Sequence, residues 1–292
     1  MDYLITWVLA FFARVVGLIP FRVLYIISDG MYFFLYRIIR YRRKVVEENL
    51  RNSFPDISEK ELKKLIRGSY KNLADIFVEG IKGFTMTDEQ YLKRYKVKNP
   101  EILQHLRDEK KSAVFLPAHY GNWEWGTKAT PSQLGFKHMV IIYKPLSNKP
   151  ADLFFKKHRS QKGLIMGSIY ETAKLFRKYT PDFSAFILVS DQSPPPVAKK
   201  VYWIDFLGQQ TAFLRGAELF TRQYNLPVYY SEAQRIKRGY YEVSLTPIID
   251  DPSTLPDGEI TRRYAKLLEK TIRKKPEDWL WSHRRWKIKK EN

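Results

Sequence analysis

The chain has 292 residues, and its 44% apolar and 15% aromatic content is enough to fill a sizeable core. It contains no cysteine, which excludes thiol catalysis, an acyl-cysteine intermediate, disulfides and cysteine-ligated zinc. The formal net charge of +20 indicates an anionic partner: nucleic acid, a membrane surface or an acidic substrate. Because no helix-turn-helix, zinc-finger or RNA-recognition signature is present, we do not expect the partner to be nucleic acid.

The N-terminal residues are rich in apolar and aromatic side chains. Residues 3–20 are almost continuously apolar apart from Arg14, and shorter apolar runs follow at residues 23–27 and 31–39. A membrane-spanning helix needs about 20 apolar residues, so the first run is barely long enough. We predict that residues 1–40 form a helical membrane anchor, either one short span or a monotopic hairpin in one leaflet. The alternative is a pair of buried core helices.

A basic cluster follows the apolar segment directly. It comprises Arg37, Arg40, Arg42, Arg43 and Lys44. By the positive-inside tendency, this cluster places the rest of the chain on the cytoplasmic side of a membrane. The same charges would attract anionic lipid headgroups, so the membrane is a predicted partner.

Residues 41–292 are expected to form the second domain, which begins with helices. A capping box, Ser58 with Glu61, starts one of them. From about residue 100 onwards, short apolar runs alternate with amphipathic segments, which is typical of an α/β domain. We predict a mixed central sheet flanked by helices. The predicted strands cover residues 112–116, 138–143, 185–190, 228–232 and 240–246, and the predicted helices residues 151–161, 169–179, 211–224 and 260–274.

The most informative motif follows the first of these strands and reads His119-Tyr-Gly-Asn-Trp-Glu124. Five residues turn a helix by about 140°, so the imidazole and the carboxylate meet only if the backbone bends between them. Gly121 and Asn122 supply such a bend. A histidine held by a carboxylate is a general base near neutral pH. An ordinary structural or surface pair is the alternative, and it is the commoner one for this pattern alone.

Polar residues also lie at or near the ends of later predicted elements. Asp191 and Gln192 follow the third strand, and ligands of α/β sheets gather at the carboxyl ends of strands. For Asp191 itself we expect a sheet-end contact or a loop cap. Arg159 suits a clamp for a phosphate or an oxyanion, although a solvated helix charge is the alternative.

Together these blocks resemble the late acyltransferases of lipid A biosynthesis, a branch of the lysophospholipid acyltransferase superfamily. Residues 119–124 match the superfamily's His-(four residues)-Asp/Glu motif. Residues 143–150 and 191–192 match its second and third blocks, and residues 276–286 match the C-terminal signature of the branch. Residues 193–200 depart from the glycine-containing loop of the family, which leaves the acyl-chain and acceptor preference open.

The resemblance implies transfer of a fatty acyl group from an acyl carrier protein thioester to a hydroxyl of a lipid A precursor, an anionic glycolipid. The reaction would take place at the cytoplasmic face of the bacterial inner membrane and would need no metal and no cofactor. His119 would take the proton of the hydroxyl, Glu124 would orient the imidazole, and the oxygen would attack the thioester without an acyl-enzyme. Substrate-binding or oxyanion roles would fall to Gly121, Asn122, Arg159 and Asp191.

Several alternatives stay open at this point. The acceptor could be another lipid, such as a phosphatidylinositol mannoside, an aminolipid or a lysophospholipid, because all would share the base and the carboxylate. A non-catalytic membrane-bound lipid-binding protein would use the pair only structurally. A hydrolase could use it to activate water, although the chain has no Gly-x-Ser-x-Gly elbow and its five histidines are scattered.

Overall fold

Nine strands are present in the computed structural model, which describes residue 11 and residues 13–159, 163–195 and 200–290. They are β1 (Tyr95–Val97), β2 (Ala113–Leu116), β3 (His138–Tyr143), β4 (Leu164–Ser168), β5 (Ser184–Leu188), β6 (Val201–Phe206), β7 (Gln209–Leu214), β8 (Val228–Lys237) and β9 (Tyr240–Ile249). Seven of them form one sheet in the order β1-β9-β8-β2-β5-β3-β4, and β6 and β7 form a separate ribbon.

Helices surround the sheet. They are α1 (Phe21–Phe33), α2 (Arg43–Ser53), α3 (Glu59–Gly83), α4 (Asp88–Arg94), α5 (Gln104–Asp108), α6 (Trp123–Ala129), α7 (Pro131–Leu134), α8 (Lys149–Arg159), α9 (Thr172–Tyr179), α10 (Gly216–Gln223) and α11 (Glu259–Lys274). A π-helical turn, Phe34–Ile38, continues α1, and short 3-10 turns cover Pro100–Leu103, Ile169–Glu171, Thr180–Asp182, Pro252–Thr254 and Pro276–Asp278.

The sheet is mixed, as the sequence predicted. Strands β8 and β9 are antiparallel, whereas every other neighbouring pair in the large sheet is parallel. All four residues of β2 are buried, as expected for a central strand with helices on both faces. Alternate residues serve two cores: Val114 and Leu116 pack in one, and Ala113 and Phe115 pack in the other.

Most predicted elements are confirmed, with shifts of a few residues at their ends. The capping box is present, because the Ser58 side chain accepts from the Glu61 N–H and the Glu61 side chain accepts from the Ser58 N–H. The predicted helix over 211–224 is wrong at its start, where β7 runs to Leu214. Strand β7 pairs with β6 through a two-residue turn, Leu207-Gly208, whose φ angles are 53° and 73°. Left-handed residues at both positions are typical of tight β-hairpins.

Helix α1 is fastened to the rest of the protein by polar contacts. The Ser28 hydroxyl donates to Asp75 at 2.6 Å, and the Tyr25 hydroxyl donates to Glu79 at 2.8 Å. Arg238, in the loop between β8 and β9, bonds both Asp75 and Asp29. These contacts join residues on the two sides of residue 40, where we predicted a domain boundary. That boundary stays a prediction.

The predicted membrane anchor is only partly visible. Residues 1–10 and 12 lie outside the described residues, and residues 13–18 are helical. In the part of the chain that is described, no helix combines the length and apolar character needed to cross a membrane. A spanning anchor therefore has no support there. The outer side of α1 nevertheless exposes large apolar side chains, among them Ile26 at 70% and Phe33 at 56%.

We predict that Asp75→Ala lowers the free energy of unfolding by about 3 kcal/mol or more, as expected when one partner of a buried ion pair is removed. The Asp75 side chain is 3% exposed and pairs with Arg235, itself 12% exposed, at 3.0 Å. Asp29→Ala is the control, because Asp29 is 58% exposed and exposed pairs contribute roughly 0–1 kcal/mol. Urea denaturation of the full chain measures both, and equal losses would contradict the prediction.

Candidate active site

His119 and Asp191 meet at the carboxyl edge of the sheet. His119 follows β2 and Asp191 follows β5, and these two strands are parallel neighbours. Their carboxyl ends therefore lie side by side, although the two residues are far apart in sequence. The imidazole Nδ1 lies 2.7 Å from Asp191 Oδ1. The fold thus joins a histidine to a carboxylate that follows a different strand.

The Asp191 carboxylate is buried, at 2% exposure, and is well supplied with donors. Besides the imidazole, it accepts the backbone N–H of His119 at 3.0 Å and the indole N–H of Trp279 at 2.9 Å. Burial acts to raise the pKa of Asp191, but the charge of His119 and these hydrogen bonds lower it below its ordinary value. The carboxylate is therefore ionised near neutral pH.

An ionised Asp191 fixes the proton of His119 on Nδ1, which leaves Nε2 as an acceptor. Nε2 lies 3.2 Å from the side-chain nitrogen of Gln192, whose amide can donate to it. Burial acts to lower the pKa of His119, but the charge and hydrogen bond of Asp191, with a smaller effect of the Glu124 charge, raise it overall. With 19% of its side chain exposed, the imidazole can be reached by a ligand.

The loop that carries His119 is held by the C-terminal segment. The His119 carbonyl accepts the Leu280 N–H at 3.2 Å, and the Gly121 N–H donates to the Asp278 carbonyl at 3.0 Å. Gly121 has φ of +58°, and a Cβ there would lie 2.6 Å from the Ala233 carbonyl oxygen. Only glycine fits this bend, so the sequence prediction of a turn at Gly121 is confirmed.

Glu124 contacts Arg159 and makes no hydrogen bond to His119 in the described structure. Its Oε2 lies 2.6 Å from Arg159 Nη2, and the two side chains are 34% and 23% exposed. Because α6 begins at Trp123, Glu124 lies on the first turn of a helix. The hydrogen bond expected between Glu124 and the imidazole is supplied by Asp191 instead.

Asn122 and Gly121 have structural contacts where the sequence suggested oxyanion donors. The Asn122 side chain is completely buried, accepts the Trp125 N–H at 3.0 Å as a helix cap and donates to Glu79 at 2.6 Å. The Gly121 N–H is also bonded within the protein, to the Asp278 carbonyl, and the oxyanion role of both residues stays a prediction. Arg159 is the other predicted donor, and it lies beside Glu124.

Two further polar side chains from the C-terminal segment lie close to this centre. His283 Nε2 accepts the Ser193 N–H at 3.0 Å, and burial lowers the pKa of His283 to about 4. Arg285 is 2% exposed and lies 4.5 Å from the Phe213 ring, and its guanidinium has no hydrogen-bond partner among the described residues. Burial lowers the pKa of Arg285 to about 10, and the charge of Asp191 opposes that decrease. By reciprocity, Arg285 favours an ionised Asp191.

Comparison with known proteins identifies the family of the chain. The family model of bacterial lipid A biosynthesis acyltransferases matches residues 1–288. The chain belongs to this family. It is therefore an acyltransferase, as the resemblance implied.

Similar proteins with a known name are also lipid A acyltransferases, although their sequence identity to this chain is low. The lipid A biosynthesis lauroyltransferase of Escherichia coli (strain K12) is 24% identical over 301 residues, covering 99% of this chain and 93% of the relative. The lipid A biosynthesis palmitoleoyltransferase of the same organism and the lipid A biosynthesis acyltransferase of Shigella flexneri are each 22% identical over 284 residues, covering 93% of this chain and 87% of each relative.

Sequence reasoning missed two contacts of this site: the one between Asp191 and His119, and the one between Trp279 and Asp191. For Asp191 we expected a sheet-end contact or a loop cap, or, from the resemblance, a substrate-binding or oxyanion role. The position of Asp191 after a strand was a usable signal, because a parallel neighbour of β2 would bring it to His119. For Trp279 no local signal exists, since its indole reaches Asp191 from a remote part of the chain. In the described residues, no group of three or more His, Asp or Glu has the arrangement of a metal site.

His283 makes the protein sensitive to acid. Its pKa is about 4 in the folded chain against an ordinary 6.5, so the unfolded chain binds more protons between these values. Stability contributed by neutral His283 is present above about pH 6.5 and is lost as the pH falls towards about 4. We predict that His283→Gln, which can still accept the Ser193 N–H, loses less melting temperature over this range than the unmodified chain.

The comparison isolates His283 because His119, whose raised pKa contributes with the opposite sign, is the same in both proteins. Calorimetry at several pH values measures the melting temperatures. Parallel decreases for the two proteins would contradict a neutral, buried His283.

Proposed function

We propose that this acyltransferase moves a fatty acyl group from an acyl carrier protein thioester to a hydroxyl of a lipid A precursor, with His119 as general base. The observation that carries the proposal is the His119–Asp191 pair, in which a buried carboxylate bonds Nδ1 and leaves Nε2 of a partly exposed imidazole as acceptor. Membership of the lipid A acyltransferase family supports the acceptor class.

In the proposed reaction, His119 Nε2 takes the proton of the acceptor hydroxyl, which replaces the Gln192 amide at that nitrogen. The oxygen attacks the thioester carbonyl carbon, and the tetrahedral intermediate collapses as the carbon–sulfur bond breaks. The imidazolium then returns its proton to the leaving thiolate. Asp191 stabilises the imidazolium between these two transfers, and such a positioned base contributes about 10²–10⁴-fold in rate. No acyl-enzyme is formed.

We assign Glu124 and Arg159 to the oxyanion side of the reaction. Arg159 is permanently charged, and its planar guanidinium can donate to a developing oxyanion or to a phosphate of the acceptor. Glu124 holds Arg159 at 2.6 Å and adds its charge to those that raise the pKa of His119. Glu124 would thus act in two ways: by positioning Arg159, and through the electrostatic effect of its charge on His119.

The charge and the N-terminal surface suggest where the reaction takes place. A formal net charge of +20 favours both an acidic carrier protein and an anionic glycolipid. On α1 and the π-helical turn, Ile26, Phe33 and Ile38 are exposed beside the basic cluster that begins at Arg37. We propose that this face lies in the plane of the membrane, on the cytoplasmic side of the inner membrane.

We expect His119→Ala to lower acyl transfer about 10²–10⁴-fold, the usual contribution of a general base. His138→Ala is a matched control, because His138 also lies 2.7 Å from an aspartate, Asp182, but at the amino end of β3. The assay follows acyl transfer from acyl carrier protein to a lipid A precursor by mass spectrometry. Full activity of the folded His119→Ala protein would rule out the proposed base, and transfer only to a different lipid would rule out the acceptor.

Asp191 and Glu124 can be distinguished by their effect on the acid limb of kcat/KM, which rises as His119 loses its proton. The charge of Asp191 raises the pKa of His119 more than that of Glu124. Asp191→Asn should therefore move the limb to lower pH and reduce the plateau about 10²-fold or more, because the proton no longer stays on Nδ1. Glu124→Gln should move the limb less. A larger shift for Glu124→Gln would reverse the two roles.

A further inference from the structure

A groove with a volume of about 870 Å³ lies between α1 and α3, formed by residues other than those around His119. Four basic side chains of α3 line it, together with Tyr32 of α1. The four are Lys60, Lys64, Arg67 and Lys71. We call this feature the basic groove. Its volume is within the range of small-ligand sites, which is roughly 300–1,000 Å³.

Helical spacing explains why these cations share one side of α3. Positions 60, 64, 67 and 71 recur at intervals of four, three and four residues, so they line one face of the helix. At 1.5 Å per residue, the row extends for about 16 Å. Like charges at this spacing repel one another and destabilise a helix slightly. An anion bound along the row would remove that repulsion.

The basic groove is not neutralised by the protein itself. None of its four cations forms an ion pair within the described residues; Arg67 donates to the Lys63 carbonyl and Lys71 lies 5.5 Å from the Tyr32 ring. The one acidic side chain in the lining, Glu61, is bonded to Ser58 in the capping box. By contrast, Arg51 nearby on α2 is paired with two glutamates. The groove therefore carries four positive charges in one row with no ion-pair partner among the described residues.

The position of the groove indicates which anion it would accept. Lysine binds phosphate as a point charge, and arginine binds it through the parallel N–H donors of its planar guanidinium. Tyr32 forms one wall, and the residues that follow it, Phe33 and Phe34, are 56% and 48% exposed. A ligand with a phosphate next to an apolar chain would match both the charge and the adjacent apolar surface. A flat acidic protein surface would use only the charge.

We propose that the basic groove binds the phosphate-bearing headgroup of an anionic membrane lipid and so holds the enzyme on the membrane surface. The inference rests on the proposed membrane attachment of α1, which brings the groove to the level of the headgroups. Each basic residue close to an anionic membrane contributes about 1 kcal/mol to binding. Loss of two groove lysines should therefore weaken binding roughly 30-fold.

The test compares two double variants of the full chain that lose the same charge. Lys60→Gln with Lys64→Gln removes two lysines from the groove, and Lys266→Gln with Lys270→Gln removes two exposed lysines with the same spacing from α11. Binding is measured by co-sedimentation with phosphatidylcholine vesicles that contain or lack phosphatidylglycerol. We expect a roughly 30-fold loss on phosphatidylglycerol vesicles for the groove variant and a much smaller loss for the α11 variant.

Equal losses for the two variants, or no loss for either, would overturn the proposal. If the groove variant binds vesicles normally but raises the KM for acyl carrier protein, the groove is a protein-docking site and the proposal fails. The proposal also fails if calorimetry shows that the chain binds inorganic phosphate and the groove variant loses this binding but still binds vesicles normally. If the unmodified chain binds neither kind of vesicle, the proposed membrane attachment itself is wrong, which is a separate outcome.

Discussion

The buried carboxylate of Asp191 is the constraint on which the site depends. Burying an ionised carboxylate is costly unless its oxygens are hydrogen-bonded, and here two donors come from His119 and one from Trp279. The three residues belong to the ends of β2 and β5 and to the C-terminal segment. Satisfying one carboxylate therefore brings together three distant parts of the chain, and the same bonds set the tautomer of His119.

The C-terminal segment links folding to the assembly of this site. It pairs its backbone with the His119 loop, while Trp279 and Trp281 are buried in the core that includes one face of the sheet. The same segment places Arg285 near Asp191 without hydrogen-bond partners among the described residues, an arrangement that costs stability. A buried cation at that position favours an ionised Asp191.

Local patterns predicted much of this molecule, and long-range pairing explains what they missed. The apolar runs located β2, β3, β5, β8 and β9 but not β1, β4, β6 or β7, and the motif at 119–124 located the loop that carries His119. The motif also suggested Glu124 as the partner of His119 because the two are close in sequence. The actual partner depends on strand order: β5 lies next to β2 although β3 and β4 come between them in the chain. Likewise, the bend around Gly121 was predictable, but the hydrogen bond of the buried Asn122 to the distant Glu79 was not.

Two histidine–aspartate pairs in the chain show that distance alone does not make a site. His119–Asp191 and His138–Asp182 have the same separation of 2.7 Å. Asp182, however, is 44% exposed and is shared with Lys137, whereas Asp191 is 2% exposed. The two pairs also lie at opposite edges, since His138 begins β3 and His119 follows the end of β2. Solvent screens the exposed carboxylate at the amino edge, whereas the buried one at the carboxyl edge fixes the tautomer of its imidazole where ligands of α/β sheets bind.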